Sequence, residues 1–463
     1  MTYSERGTKL IPSDIFRAYD IRGIFNKDIT PETALQIGKG FGTYLGGRGK
    51  NVVVGRDVRL SGEVLGDALI RGLTSTGCNV LDVGVVPTPV LSFSVVRYGK
   101  DGGVMVSASH NPPEWNGFKL YKKGGGNCAQ GTGMEEVKEI IFSQKFSISS
   151  KWKVEKYGEV FADYTKFLED KVDIRRPLRV AMDPANGTCG LIAPELFNKY
   201  GCEVVSINLK PDGRFPAHVP EPTEETLKDL MKLVPDEKAD FGVGYDGDGD
   251  RSVFVDNKGR IVPPDTTLII FAYYYLEKHK NAKIVFDITC SSSVEEAIAA
   301  KGGVPVLSRV GRTFLVQKMA AEKAAFGGES SGHFYFAETY GFDDGIFSSL
   351  KMAEILSKND KKLSDIVDAI KRYPSIPLID FDCPDKDKFK VVEKLEKEFQ
   401  AEGYETIGID GVKVILSDGW FLVRPSNTMP QIKMTAEAKS EARLKKIVQF
   451  ATERLEKELG RLK

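Results

Sequence analysis

The chain has 463 residues, too many for one hydrophobic core, since single cores stop growing at roughly 250–300 residues. Its 65 Lys+Arg against 65 Asp+Glu leave no formal net charge, which argues against a nucleic-acid partner held by a basic excess, and 41% hydrophobic residues exclude an acidic disordered chain. Six scattered cysteines without a CxxC pair, beside four histidines, speak against a zinc centre or a disulfide framework.

The first residues, MTYSERGTKLIPSD, contain no apolar signal core. The longest low-charge run, CNVLDVGVVPTPVLSFSVV, is broken by Asp82 and two prolines, so no membrane span is expected. These features point to a soluble, cytoplasmic protein without a membrane partner.

Short β-branched runs alternate with longer amphipathic segments, the pattern of an α/β protein with mixed, largely parallel sheets. Three runs, at 51–57, 179–187 and 283–291, read as buried strands that each reach an Asp: Asp57, Asp183 and Asp287. A second strand follows each about 20 residues later, from Gly77, Gly201 and Gly302, a gap that fits one crossover helix of a βαβ unit. A third strand then opens into an unusual loop, in GVMVSASHNPPEWNG (103–117), DFGVGYDGDGDR (240–251) and AAFGGESSGHF (324–334). Open α/β sheets bind ligands at the carboxyl ends of their strands, so three equivalent loops are expected to face one central cleft.

The last ninety residues differ. A proline-bearing connection at about 371–377 leads to the hairpin signal VILSDGWFLV, with Asp418-Gly419 at the turn. A closing helix carries Leu444, Ile447, Val448, Ala451, Leu455 and Leu459 on one face. This gives four expected domains, at 1–155, 156–258, 259–371 and 372–463, three repeated βαβ-type domains and a smaller C-terminal α+β domain.

Each loop carries its own chemistry. Asp246, Asp248 and Asp250 alternate with glycines immediately after a strand, and three clustered carboxylates repel one another unless a cation lies between them. Oxygen ligands favour Mg²⁺ or Ca²⁺ over zinc. A calcium loop fails on spacing: Arg251 stands where the loop needs Gly and Asn257 where it needs Glu. Arg251 beside the acids suits a phosphate-bearing ligand. In SASHNPPEWNGFK, Ser109 and His110 precede the rigid turn Asn111-Pro112-Pro113, making Ser109 a candidate nucleophile or phosphate carrier, with Lys119 as nearby charge. Glu329, Ser331 and His333 offer a carboxylate, a hydroxyl and an imidazole suited to sugar hydroxyls. In RPSNTMP, Arg424 can grip an anion bidentately while Ser426, Asn427 and Thr428 add donors.

Together these motifs resemble the α-D-phosphohexomutase family, most closely its bifunctional phosphomannomutase/phosphoglucomutase branch, in order from FRAYDIRG at 16–23 to RPSNTMP at 424–430. The resemblance implies four domains around a cleft and reversible phosphoryl transfer between the 1- and 6-positions of mannose or glucose phosphates. It implies a phosphoryl-carrying Ser109 and a hexose 1,6-bisphosphate as intermediate and activator. One Mg²⁺ per chain is implied, on Asp246, Asp248, Asp250 and a phosphoserine oxygen. Arg251 and Lys119 match cations around the transferring group, and His110 is counted with this catalytic set. Glu329 and Ser331 match residues holding sugar hydroxyls, His333 a candidate proton shuttle, and Arg424, Ser426, Asn427 and Thr428 the clasp for the other phosphate. Tyr19 and Arg22 match the N-terminal motif of the cleft. Met429, Arg312 and Thr289 depart from the residues usual in relatives, which bears on sugar selectivity. The general base stays open between His333, Lys119 and another group. Alternatives are a phosphoglucosamine mutase, a metal-dependent phosphatase with Asp246 as nucleophile, and a non-catalytic phosphosugar-binding protein. Oligomeric state is not encoded in any motif.

Overall fold

The computed structural model describes residues 11–426 and 429–461. They form two compact units, one of residues up to 263 with 331–367, the other of 264–330 with 368–463.

The first unit holds two sheets. In one, Asn51–Arg56, buried except at its two ends, lies between Asn79–Val85 and Gly102–Val106, all parallel, with Val154–Lys156 parallel at one edge. Trp115–Lys122 and then Ile21–Ile24 extend the other edge antiparallel. The second sheet repeats the arrangement: Arg179–Asp183 lies between Glu203–Ser206 and Phe241–Tyr245, both parallel, and Ser252–Asp256 and Ile261–Val262 continue antiparallel. In the second unit, Lys283–Asp287 lies between Val304–Ser308 and Phe326–Gly328, again parallel. All three repeats therefore use the order second, first, third strand. The middle residues of the three first strands are buried and mostly apolar, as expected of parallel strands covered on both faces.

The second unit also contains an antiparallel sheet in the order Ile379–Asp382, Gln431–Ala438, Gly419–Pro425, Val412–Leu416, Glu405–Ile407. Helices Asp385–Ala401 and Glu441–Gly460 supply Leu395, Phe399, Leu444, Ile447, Ala451 and Leu455 to its core. The hairpin turn is one residue earlier than the sequence signal suggests. Leu416 pairs with Gly419, so Ser417-Asp418 form the loop. Gly419 is drawn into the strand because its backbone packs too closely for a side chain, a Cβ there lying 2.3 Å from the Glu437 carbonyl oxygen. Residues 374–376 of the proline-bearing connection run along Gln431–Ala438, with Ile376 N donating to Ala436 O. No helix among the described residues is long and apolar enough to cross a membrane.

Helix Pro31–Tyr44 starts on Thr30, whose hydroxyl accepts from Thr33 N, with proline at the first turn. It crosses helix Gly62–Ser75 at Gly38 and Gly72, where the backbones touch. A Cβ on Gly72 would lie 2.2 Å from Leu35 O, and one on Gly38 2.3 Å from Leu69 O. Gly72→Ala is expected to force these helices apart and destabilise the chain by about 1–3 kcal/mol. A urea midpoint equal to that of the parent would contradict this account of the crossing.

Candidate active site

The loop after Gly102–Val106 is held from beneath. Asp57, at the end of Asn51–Arg56, accepts from Arg59 Nε at 3.1 Å and from Ser107 Oγ at 2.8 Å. Arg59 then donates to the carbonyls of Pro112, Trp115, Ser109 and Asn111, at 2.5, 2.9, 2.9 and 2.5 Å. Arg22, paired with Asp20, donates to Asn111 Oδ1 at 2.6 Å from another side. The two guanidiniums fix a turn whose proline-rich sequence has few backbone donors of its own. Ser109 adopts φ +50°, a left-handed conformation that costs a non-glycine residue energy, and its side chain is buried.

Ser109 Oγ donates to Asp246 Oδ2 at 2.8 Å. Asp246, Asp248 and Asp250 are buried, and one oxygen from each lies within 4.8 Å of the others. Lys119 Nζ, from Trp115–Lys122, bridges Asp248 Oδ2 at 2.7 Å and Asp250 Oδ2 at 2.5 Å. Arg251 Nε reaches Asp246 Oδ2 at 3.2 Å, and its Nη2 lies 3.5 Å from Ser109 Oγ. Burial, then the Asp250 charge, pushes the Asp246 carboxyl well above the usual range. Burial and Asp250 act the same way on Asp248, but the Lys119 ammonium and the Thr88 hydroxyl outweigh them and hold it low. Asp248 Oδ1 is buried without a hydrogen-bond partner. A buried, unsatisfied carboxylate oxygen in a set of three fits a hard divalent cation.

His110 lies 3.3 Å from Ser109 Oγ through Nδ1, which also accepts from Arg251. Burial, then the Arg251 and Arg22 charges, hold its pKa well below that of ordinary imidazole, so the ring is neutral. His333 Nε2 lies 3.4 Å from Asp250 Oδ1 and 3.9 Å from Asp343 Oδ2, and its Nδ1 is 2.8 Å from Ser331 Oγ. Tyr19 is half-buried next to Asp20. The first unit thus gathers Ser109, His110, Lys119, the three acids, Arg251, Ser331 and His333, with Arg22 bracing the serine loop.

Glu329, Arg424 and Ser426 belong to the second unit. Glu329 is buried and accepts from Gly311 N at 2.8 Å. Arg424 is buried against Asp410, Nε to Oδ2 at 3.1 Å. Ser426 Oγ accepts from Met429 N, and Lys388 Nζ donates to the carbonyls of Ser426 and Met429 at 2.6 and 3.1 Å, propping the loop. Asn427 and Thr428 lie outside the described residues.

The comparisons with known proteins agree along the chain. Models of the phosphoglucomutase/phosphomannomutase alpha/beta/alpha domains I, II and III match residues 13–147, 162–259 and 263–373, and that of the C-terminal domain matches 378–454. A phosphoglucomutase/phosphomannomutase of Thermococcus kodakarensis is 38% identical, over 96% of this chain and 99% of its own. A probable phosphoglucosamine mutase of Methanopyrus kandleri is 38% identical, over 93% and 95%. The crystal structure of a family protein from Burkholderia thailandensis superposes with a TM-score of 0.90 at 33% identity, over 97% and 98%. Four domain models of one family thus follow one another along the chain. The chain belongs to the α-D-phosphohexomutases, in the phosphoglucomutase/phosphomannomutase family.

Several residues in this network are not singled out by the motifs: Arg59, Ser107, Thr88, Asp343 and Lys388. Asp57 is marked in the sequence only as the end of a buried strand. Arg59, two residues further on, has no pattern of its own, because its four carbonyl partners come from a distant loop. Arg59→Lys keeps one charge but cannot span those carbonyls. It is expected to leave a folded chain with turnover reduced about 100-fold, the scale of a misplaced reacting group. Parent-like turnover would remove Arg59 from the support of the serine loop.

Proposed function

We propose that the chain moves a phosphoryl group between the 1- and 6-positions of hexose phosphates, carrying it on Ser109 and passing through a hexose 1,6-bisphosphate. Membership of the family makes the chain a hexose-phosphate mutase, an isomerase working by intramolecular phosphoryl transfer. The observation that carries the proposal to particular residues is the setting of Ser109: a buried hydroxyl on a strained, doubly braced loop, hydrogen-bonded to Asp246 and facing Arg251.

In the first half-reaction the bond from phosphorus to Ser109 Oγ breaks as a bond to the free sugar hydroxyl oxygen forms, the hydroxyl proton passes to a base, and the leaving Ser109 oxygen takes up a proton. In the second half the bisphosphate presents its other phosphate, the bond from that phosphorus to its sugar oxygen breaks as Ser109 Oγ forms the new bond, and the Ser109 proton passes to the base while the sugar oxygen regains one. Lys119 and Arg251 place positive charge beside the transferring group, the main catalytic contribution in phosphoryl transfer. Asp246, Asp248 and Asp250 would hold Mg²⁺, which would add charge stabilisation of the same kind. Lys119 Nζ already donates to two carboxylates. That favours His333, with a carboxylate on Nε2 and a hydroxyl on Nδ1, as the group that takes the proton. His110, neutral, accepts from Arg251 and steadies it. Glu329 and Ser331 are assigned to sugar hydroxyls, Tyr19 and Arg22 to the N-terminal wall, and Arg424 with Ser426, Asn427 and Thr428 to the non-transferring phosphate. The domain limits given above and a cytoplasmic location belong to the same proposal.

Glucose and mannose phosphates are the substrates best supported by the names of the relatives. The Methanopyrus kandleri relative keeps glucosamine phosphate as a second reading. Coupled assays on glucose 1-phosphate, mannose 1-phosphate and glucosamine 1-phosphate decide between them, and turnover of glucosamine 1-phosphate alone would overturn the first.

Part of the purified chain should be one phosphate heavier by intact mass. Ser109→Ala should lose that species together with nearly all turnover, and wild-type activity in this variant would end the proposal. Asp248→Asn is expected to weaken Mg²⁺ activation, because it removes one of the three carboxylates that would hold the ion. An unchanged magnesium dependence of the rate would sink the metal assignment.

A further inference from the structure

We propose that Asp410 is a positioning residue for the phosphate clasp, pinning Arg424 by its Nε edge and fastening it to the turn at Val310. The inference rests on the assignment of Arg424 to the non-transferring phosphate.

Asp410 follows Glu405–Ile407 and is buried, as is Arg424. A single carboxylate oxygen, Oδ2, serves two partners. It accepts from Arg424 Nε at 3.1 Å and from the Val310 amide at 3.1 Å. Arg424 Nη2 lies 3.0 Å from this oxygen but makes no hydrogen bond to it, and no other acceptor satisfies it among the described residues. A buried guanidinium nitrogen with unused hydrogens is expensive unless an anion completes it. The Nε side of the guanidinium, with Nη2 beside the same oxygen, is therefore committed to Asp410, and the remainder of the group is left for a ligand oxygen.

The carboxylate has little freedom to follow a moving arginine. Gly411 takes φ +87°, and a Cβ there would lie 2.4 Å from Val423 O and 2.6 Å from Arg424 Cβ. The Asp-Gly turn is pressed onto the strand Gly419–Pro425 at the position of Arg424. Across the turn, the next amide, Gly311 N, donates to Glu329 Oε1 at 2.8 Å. Two consecutive amides are thus capped by two carboxylates, one bound to the clasp arginine and the other on the loop assigned to sugar hydroxyls. The 310–311 turn joins the parts assigned to opposite ends of one substrate.

Asp410 has two opposing effects on an anion at Arg424. Its charge offsets part of the guanidinium field, whereas its hydrogen bond removes rotamers that a free arginine would lose on binding. For a buried, bidentate-capable arginine the second should dominate, so losing the carboxylate should weaken binding.

The test uses the full-length protein and glucose 1-phosphate, or whichever hexose phosphate the assays above select. Asp410→Asn is expected to raise KM about tenfold with a much smaller change in kcat. It should also raise hydrogen exchange in the peptide covering Val310. Arg424→Lys should raise KM as well, and in that background Asp410→Asn should add little, because both changes act through one guanidinium. Asp410→Glu, which keeps the charge but displaces the oxygen, covers the case in which the asparagine variant fails to fold; it too should raise KM. An unchanged or lowered KM in the variants at Asp410, or an equal further rise in the Arg424→Lys background, overturns the inference. If Arg424→Lys itself leaves KM unchanged, the assignment of the clasp fails instead.

Discussion

Three carboxylates taken out of water in one short loop are the constraint on which the first unit is built. Asp246, Asp248 and Asp250 are 0%, 0% and 1% exposed, and an uncompensated buried charge costs several kcal/mol. The second sheet supplies one local cation, Arg251. The loop's own amides, Gly249 N and Arg251 N, donate to Asp246 Oδ1, and the first sheet and its loops add the Lys119 ammonium, the Thr88 and Ser107 hydroxyls on Asp248, and the Ser109 hydroxyl on Asp246. Thr88 N also donates to Asp248 O at 2.8 Å. The two sheets of the unit are therefore locked in register by a polar network rather than by apolar contact alone. Such a network specifies one arrangement, because any slip would leave a buried acid without its partner.

The same device recurs at the first strand of each repeat. Asp57 accepts from Ser107 and Arg59, Asp183 from Ala185 N and Asn208, with His218 Nε2 3.1 Å from its Oδ2, and Asp287 from Thr289 and from Ser330 N. Each lies at the carboxyl end of a central parallel strand, where chains to either side diverge and open backbone donors accumulate. A carboxylate placed there collects the loops of neighbouring strands onto one point. In the first and third repeats it collects the loop after the third strand, which carries Ser109 in one and Glu329 in the other. Repetition of the fold thus repeats the attachment, while the exposed residues of each loop differ.

The strands and the repeat were legible because buried parallel strands are continuous hydrophobic runs, a pattern that survives without any knowledge of partners. The amphipathic face of Glu441–Gly460 was legible for the same reason: Leu444, Ile447, Ala451 and Leu455 are core residues at helical spacing. Asp246, Asp248 and Asp250 were legible because their repulsion is local in sequence. Arg59 and Lys388 were not, since Arg59 meets the carbonyls of residues 109–115, and Lys388 those of Ser426 and Met429, only when segments far apart in sequence come together. The hairpin turn was displaced by one residue because an Asp-Gly pair signals a turn, whereas the pairing of Gly419 is set by the Glu437 backbone across the sheet. Sequence motifs reveal the groups that would touch the substrate; the groups that hold them in place are specified by the fold.

The charge count around Ser109 gives a further constraint on the proposed cycle. With all acids ionised, Asp246, Asp248 and Asp250 contribute three negative charges, and Lys119 and Arg251 return two positive ones, leaving one negative. Neutral His110 adds nothing. A divalent cation would move the sum to one positive, and a phosphoserine near its dianionic form would return it to one negative. The cation and the phosphoryl group each relieve the imbalance that the other creates, so each should be held more firmly when the other is present. In a buried site the low dielectric makes that coupling larger than it would be in water. Releasing the phosphoryl group to the sugar would then leave the cation under-compensated, with the sum at one positive, until a phosphate oxygen returns. In the proposed cycle the electrostatics that stabilise transfer would therefore also oppose escape of a bisphosphate, and an intermediate that had to turn around before reacting again would be retained by the same charges that act on it chemically.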